Sequence, residues 1–142
     1  MATILEVLAM VIVGPLVGSE LAIAAFVHPL AGRLGDDAFR TVRVDGARLL
    51  GKVMPFWYFA SFVPLVAAAV VAHSWLLGGA AALMVAVIVV TVAVMVPINN
   101  RIAAWPAHDV DRELAARWDR LHWLRVAALA ALWALVAAAR FG

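Results

Sequence analysis

Two short stretches hold most of the side chains in this sequence that could take part in chemistry: Pro97-Ile98-Asn99-Asn100-Arg101 and Trp118-Asp119-Arg120-Leu121-His122-Trp123-Leu124-Arg125. Trp118, His122 and Arg125 stand at i, i+4 and i+7, so on a helix they share one stripe, with Asp119 and Trp123 on the next. Glu20, His28 and the run Met54-Pro55-Phe56-Trp57-Tyr58 add a carboxyl, a second imidazole, indole and phenol. Such a set suits proton removal from an activated carbon acid. His28 or His122 would act as the base, Arg125 or Asn100 would hold the resulting enolate oxygen, and apolar walls would exclude water. Met54, Trp57, Tyr58 and Trp118 are the candidate walls for a flat, apolar ligand, with the tyrosine hydroxyl as a polar handle. An electron-rich carbanion formed in this way can react with dioxygen.

The same histidines are metal ligands by type, and with Glu20 they would make a two-histidine, one-carboxylate iron set. Eight residues of straight helix, however, separate Glu20 from His28 by about 12 Å. Both on one ion would need a broken helix or a carboxylate from elsewhere, such as Asp119. A metal, if one is used, is expected at His28 and His122 as mononuclear iron or copper. The acid–base scheme itself requires no cofactor. Cysteine is absent, which removes disulfides, thiolate sites and thiol nucleophiles.

The elements that must position these groups follow from composition. Of 142 residues, 67% are apolar and only 14% charged, too apolar for a soluble globule. Four apolar runs, about 4–28, 54–74, 77–98 and 121–139, each approach the roughly 20 residues that cross a bilayer. The first has no basic segment ahead of it and continues into Glu20 and His28, so it is expected to stay as a helix and not to be cleaved. The expected fold is all-α: a single domain over 1–142, a four-helix transmembrane bundle running up-down-up-down, with helices at about 4–28, 37–74, 77–98 and 111–139. Amphipathic cytoplasmic extensions are expected before the second and fourth spans. His28-Pro29 is expected to close the first helix, Pro97 to end the third, Asp36 or Asp37 to cap the second, and Asp109 or Asp111 to cap the fourth. Gly14, Pro15, Gly18 and Ser19 form a small-residue cluster suited to close helix packing. His73 reads as a solvated turn residue.

Arg33, Arg40, Arg43, Arg48 and Lys52 lie between the first two runs, and Arg101, Arg112, Arg117, Arg120 and Arg125 lie in or beside the connection between the last two, leaving Arg140 of the eleven basic residues. The positive-inside rule then puts 29–53 and 99–120 in the cytoplasm and both termini outside, in a bacterial inner membrane. Interleaved acidic residues argue against nucleic acid and leave the lipid bilayer and a hydrophobic small molecule as partners, with a homo-oligomer allowed.

In that bundle the end of the first helix, the start of the second, the end of the third and the start of the fourth share one layer. The motifs Gly-Ser-Glu-Leu-Ala-Ile-Ala-Ala-Phe-Val-His-Pro, Met-Pro-Phe-Trp-Tyr, Pro-Ile-Asn-Asn-Arg and Trp-Asp-Arg-Leu-His-Trp-Leu-Arg, which span nearly the whole chain, resemble the anthrone oxygenase-like integral-membrane family, formerly a domain of unknown function. The resemblance implies an oxygenase or related oxidoreductase acting on a phenolic or quinone-like compound, as fungal members are associated with oxidation of anthrones to anthraquinones. By position it points to His28, Asn100, Trp118, His122 and Arg125, with Glu20 belonging to a form associated with bacterial relatives. Two other readings remain: a small proton-coupled transporter using Glu20, and a structural subunit of a membrane complex.

Overall fold

The computed structural model describes residues 1–141, and no strand occurs among them. Four long helices make up the chain: α1 (Ala2–Gly32), α2 (Asp36–Ala72), α3 (Trp75–Ala103) and α4 (Arg112–Phe141). Their most apolar windows have mean hydropathies of 2.1, 1.8, 2.8 and 1.7, and each helix exceeds the roughly 20 residues that cross the hydrocarbon core. The chain is an integral membrane protein. Within those windows only 28% of α1 and 22% of each other helix is buried, so most of the apolar surface is left for lipid.

Helix α1 packs on α2 and α4, and α3 packs on the same two, closing a ring of four. Ala9, Val13, Leu16, Leu65, Leu77, Met84, Leu129 and Leu132 fill its centre. A second apolar cluster, around Phe39, Val44, Ile98, Ile102, Trp105 and Leu114, closes the end that carries the basic connections.

Asp111 caps α4, its Oδ1 accepting from Leu114 N at 2.8 Å. The expected cap of α2 is replaced: Gly35 occupies the cap position, and Asp36 instead binds Arg112 of α4 at 2.7 Å, because a carboxylate facing a guanidinium on the neighbouring helix has a stronger partner than a backbone amide. His73 is exposed and takes the left-handed conformation at φ 49° that ends α2.

Neither Pro29 nor Pro97 ends its helix. His28 stays helical at φ −65°, ψ −45°, and α1 continues to Gly32; α3 likewise runs through Pro97 to Ala103. Both helices contain a five-residue π-helical segment just before the proline, Ile23–Val27 in α1 and Thr91–Met95 in α3. A proline ring collides with the carbonyl four residues back and offers it no N–H. For Pro29 and Pro97 those carbonyls belong to Ala25 and Ala93, each at the middle of a π segment. There the bonding shifts to five residues, with His28 N donating to Ile23 O and Val96 N to Thr91 O, so each helix passes its proline without a break.

The π segment also changes which residues share a face. On a regular helix Glu20 and His28 would be about 800° apart, roughly 80° off alignment. One residue absorbed by the π turn reduces this to about 700°, within roughly 20° of alignment. The straight first helix expected from the sequence is therefore replaced by one that turns both groups toward α4.

The small-residue cluster in α1 is used unevenly. A Cβ at Gly14 would lie 3.3 Å from Trp133 Nε1, whereas one at Gly18 would meet nothing within 4 Å. Gly14→Leu is expected to lower the thermal midpoint in detergent by wedging α1 from α4. Gly18→Ala is expected to raise stability by about 0.5–1 kcal/mol through helix propensity. Equal effects of the two substitutions would contradict this packing.

Candidate functional site

The stripe Trp118, His122, Val126, Leu129, Leu132 and Val136 keeps one side of α4 buried along its length. Its first two members, joined by Arg125, supply the polar part of the interior.

Glu20, only 1% exposed, is the centre of that part. Its Oε2 accepts from Arg125 Nη2 at 2.7 Å, and its Oε1 accepts from the Tyr58 hydroxyl at 3.0 Å. His122 Nε2 is 2.5 Å from Oε2, an ion-pair contact bent away from hydrogen-bond alignment, so neither ring nitrogen of His122 has a hydrogen-bond partner. Three helices thus converge on one carboxylate within apolar spans, where an unpaired charge would cost several kcal/mol.

A second arrangement of the same composition stands beside the first. His28 Nδ1 is 3.2 Å from Asp119 Oδ1, and Arg43 grips both oxygens of Asp119, Nη1 to Oδ1 at 2.7 Å and Nη2 to Oδ2 at 2.5 Å. Each histidine therefore has its own carboxylate, and each carboxylate its own arginine. The imidazoles of His28 and His122 meet edge to face at 5.1 Å between centroids, and Trp118 lies edge-on to both, at 5.2 Å from His28 and 4.8 Å from His122.

A cavity of about 250 Å³ opens on the first arrangement, slightly below the roughly 300–1,000 Å³ usual for small-molecule sites. Glu20, Tyr58, Trp118, His122 and Arg125 form its polar side, and Met54, Pro55, Phe59, Phe62, Ile88, Val92, Met95 and Val96 its apolar side. A second cavity of about 80 Å³ touches His28 and Arg43 and shares Ile23, Leu50, Asn99 and Trp118 with the first. The larger cavity is lined by Thr91, Trp118, His122 and Arg125, and all four bear buried polar atoms without a hydrogen-bond partner: Thr91 Oγ1, Trp118 Nε1, both His122 ring nitrogens and Arg125 Nε. Such atoms cost about 1–3 kcal/mol each when left unmet. Two are obligate donors and one a hydroxyl, all three sealed from solvent within residues that line the cavity.

Of the residues singled out from sequence, Glu20, His122, Arg125, Tyr58, Trp118 and Met54 line this cavity. His28 does not; it lines the smaller one, behind His122. Asn100 is exposed, and its neighbour Asn99 lines both cavities while its Nδ2 donates to Ala47 O at 3.1 Å. The π turn of α3 aligns Thr91, Met95 and Asn99, and Asn100 falls a further 100° or so round the helix. Trp57 is likewise turned away, its indole donating to Ile12 O of α1 at 3.2 Å. Met54 and Tyr58, one turn apart, face the cavity, and Trp57 stands off that stripe.

Arg43 and Thr91 were not legible as site residues. Arg43 carried one signal, since it lies at four-residue spacing between Phe39 and Ala47, both buried. Thr91, inside a featureless apolar run, carried none. As for a metal, no three His, Asp or Glu side chains among the described residues converge as a ligand set. His28 and His122 could recruit a third ligand only by taking Glu20 or Asp119 from its arginine.

Arg43→Met alone is expected to destabilise the protein by about 1.5–3 kcal/mol, as it strips charged hydrogen bonds from Asp119. Arg43→Met combined with Asp119→Leu should recover most of that loss, as replacement of a whole buried pair often does. Thermal unfolding in micelles measures both; a double variant as unstable as the sum of the singles would contradict the pairing.

A sequence-family model described as anthrone oxygenase matches residues 39–138 of this chain. No curated protein and no solved structure matches it.

Proposed function

The chain belongs to the anthrone oxygenase family, and on that premise we propose that it oxidises a hydrophobic phenolic carbon acid, of the anthrone type, in the cavity beside Glu20 and His122. The observation that carries this reading is the contact of the His122 imidazole with the Glu20 carboxylate, beside Trp118 and Arg125, in the lining of one cavity.

In this reading Glu20 fixes the tautomer of His122 by taking up Nε2–H, which leaves the Nδ1 lone pair as the base. His122 Nδ1 removes a proton from a CH2 group activated by the ring ketone. The charge moves to the ketone oxygen, where Arg125 and the Trp118 indole N–H stabilise it. Glu20 offsets the positive charge that His122 acquires. Dioxygen is the oxidant: it takes an electron from the carbanion, recombines at the same carbon as a hydroperoxide, and loss of water leaves a carbonyl. The balance is CH2 plus O2 giving C=O plus H2O, with both reducing electron pairs drawn from substrate. His28, Asp119 and Arg43 stand behind His122 as a second imidazole–carboxylate–guanidinium set that can accept the proton and return it for the loss of water.

The pocket is proposed to lie toward the cytoplasmic leaflet of a bacterial inner membrane, at the end where the basic connections gather and with both chain ends on the far side. The three protein partners already on Glu20 leave it poorly placed to bind a transported cation, which weighs against the transporter reading.

Oxygen uptake with a hydroxylated anthrone, on protein purified in detergent, tests the proposal. His122→Ala is expected to lower kcat about 10²–10⁴-fold, the usual worth of a general base. Glu20→Gln should lower it about 10–100-fold, the usual cost of losing an orienting partner. Wild-type protein that consumes no oxygen with any such substrate, or a His122→Ala variant as active as wild type, would overturn it.

A further inference from the structure

The larger cavity includes in its lining residues exposed on the outer surface of two apolar spans. Its mouth is formed by Pro55 and Phe59 of α2 and Val92 and Val96 of α3, with Phe59 69% and Val92 61% exposed. Helix α2 packs on α3 along Trp75–Val90 and again along Val96–Ala103, but hardly along the π-helical segment Thr91–Met95 between them. The gap therefore coincides with the π turn, where the backbone of α3 departs from the regular path that a packed neighbour would follow. Both helices are apolar spans, so the gap leads sideways into acyl chains.

Inside the mouth, Thr91 Oγ1 is buried without a partner. Helical serines and threonines usually turn back to a carbonyl in the preceding turn, as Ser19 does to Leu16 O at 2.9 Å. Thr91 does not, and its residue lines the cavity. Its hydroxyl stands on a different helix from the donors Trp118 Nε1 and Arg125 Nε, so one occupant could meet both helices with two separate oxygens.

We propose that the gap between α2 and α3 is a lateral portal through which a flat, fused-ring ketone or phenol passes directly from the bilayer, and that Thr91 binds a second oxygen of that molecule, apart from the one held by Arg125 and Trp118. This rests on the proposed function only in taking the occupant to be the substrate. The portal accounts for an apolar mouth on a site whose polar atoms are all interior, and Thr91 sets specificity for ring systems oxygenated at two places.

Binding of 1,8-dihydroxyanthraquinone to protein in lipid nanodiscs, followed by stopped-flow absorbance, tests it without any turnover. Val92→Trp, placed at the mouth, is expected to slow association and dissociation together by about tenfold or more, as blocking a path does; a substitution that only spoiled contacts in the cavity would speed dissociation instead. Thr91→Val is expected to raise Kd about three- to tenfold, the worth of one hydrogen bond, and Thr91→Ser to restore it. Because the chain has no cysteine, a nitroxide on Val92→Cys sits at a single place. It should be relaxed by oxygen dissolved in lipid and not by a water-soluble nickel chelate. No binding by wild type, unchanged rates in Val92→Trp, unchanged Kd in Thr91→Val, or relaxation by the chelate would each overturn the proposal. Binding with these effects but without oxygen uptake would leave the portal standing and sink only the proposed reaction.

Discussion

A carboxylate sealed inside an apolar helix is the constraint on which the rest of this molecule depends. Glu20 is almost wholly buried, and a charge there is tolerable only where opposite charge and hydrogen bonds reach it. Tyr58 comes from α2, and His122 and Arg125 from α4. These contacts fix the rotation of three helices about one point, something the uniform Ala, Val and Leu surfaces above it cannot do. A hydrocarbon environment gives apolar side chains little preference between a neighbouring helix and lipid, so the polar cluster specifies register as well as chemistry.

The two π-helical segments serve that cluster. Each lets a helix continue past a proline, and each re-aims the residues that follow. In α1 the result is that Glu20 and His28 both address His122, at Nε2 and at the ring edge respectively. In α3 the result is a stripe of Thr91, Met95 and Asn99 along the cavity. The cavity-lining Thr91 and Met95 and the thinly packed stretch between α2 and α3 share one layer because both belong to the π-helical segment of α3.

The spans and the α4 stripe were legible in the sequence because they rest on hydropathy and on 3.6-residue periodicity, both local quantities. Asp111 as a cap was legible for the same reason. The closure of α1 at His28-Pro29 was a wrong expectation: His28 keeps right-handed helical dihedrals, and the π turn relieves the proline's clash with the carbonyl of Ala25. The sequence kept Glu20 and His28 apart by about 12 Å along the axis; that they also turn toward one neighbour was hidden, because it depends on the π turn between them. Asn100 and Trp57 were chosen by residue type, and facing direction within a helix, which differs by about 100° between neighbours, placed Asn99 at the cavity in place of Asn100 and left Tyr58 there without Trp57. Arg43 looked like one more orienting charge. Only the fold brings it across 76 residues to Asp119.

Two imidazoles, each beside a carboxylate that an arginine holds, meet edge to face, His122 at the larger cavity and His28 behind it. In the proposed reaction proton removal is the first event and oxygen the second. Hydrogen exchange at the substrate's reactive carbon separates the two directly: an anthrone incubated with the protein in heavy water under strict exclusion of oxygen, with deuterium at the CH2 position read by mass spectrometry against a protein-free control. The account predicts exchange accelerated by wild-type protein and returned to the control rate in His122→Ala. Absence of any acceleration until oxygen is admitted, in a preparation that then oxidises the substrate, would contradict it.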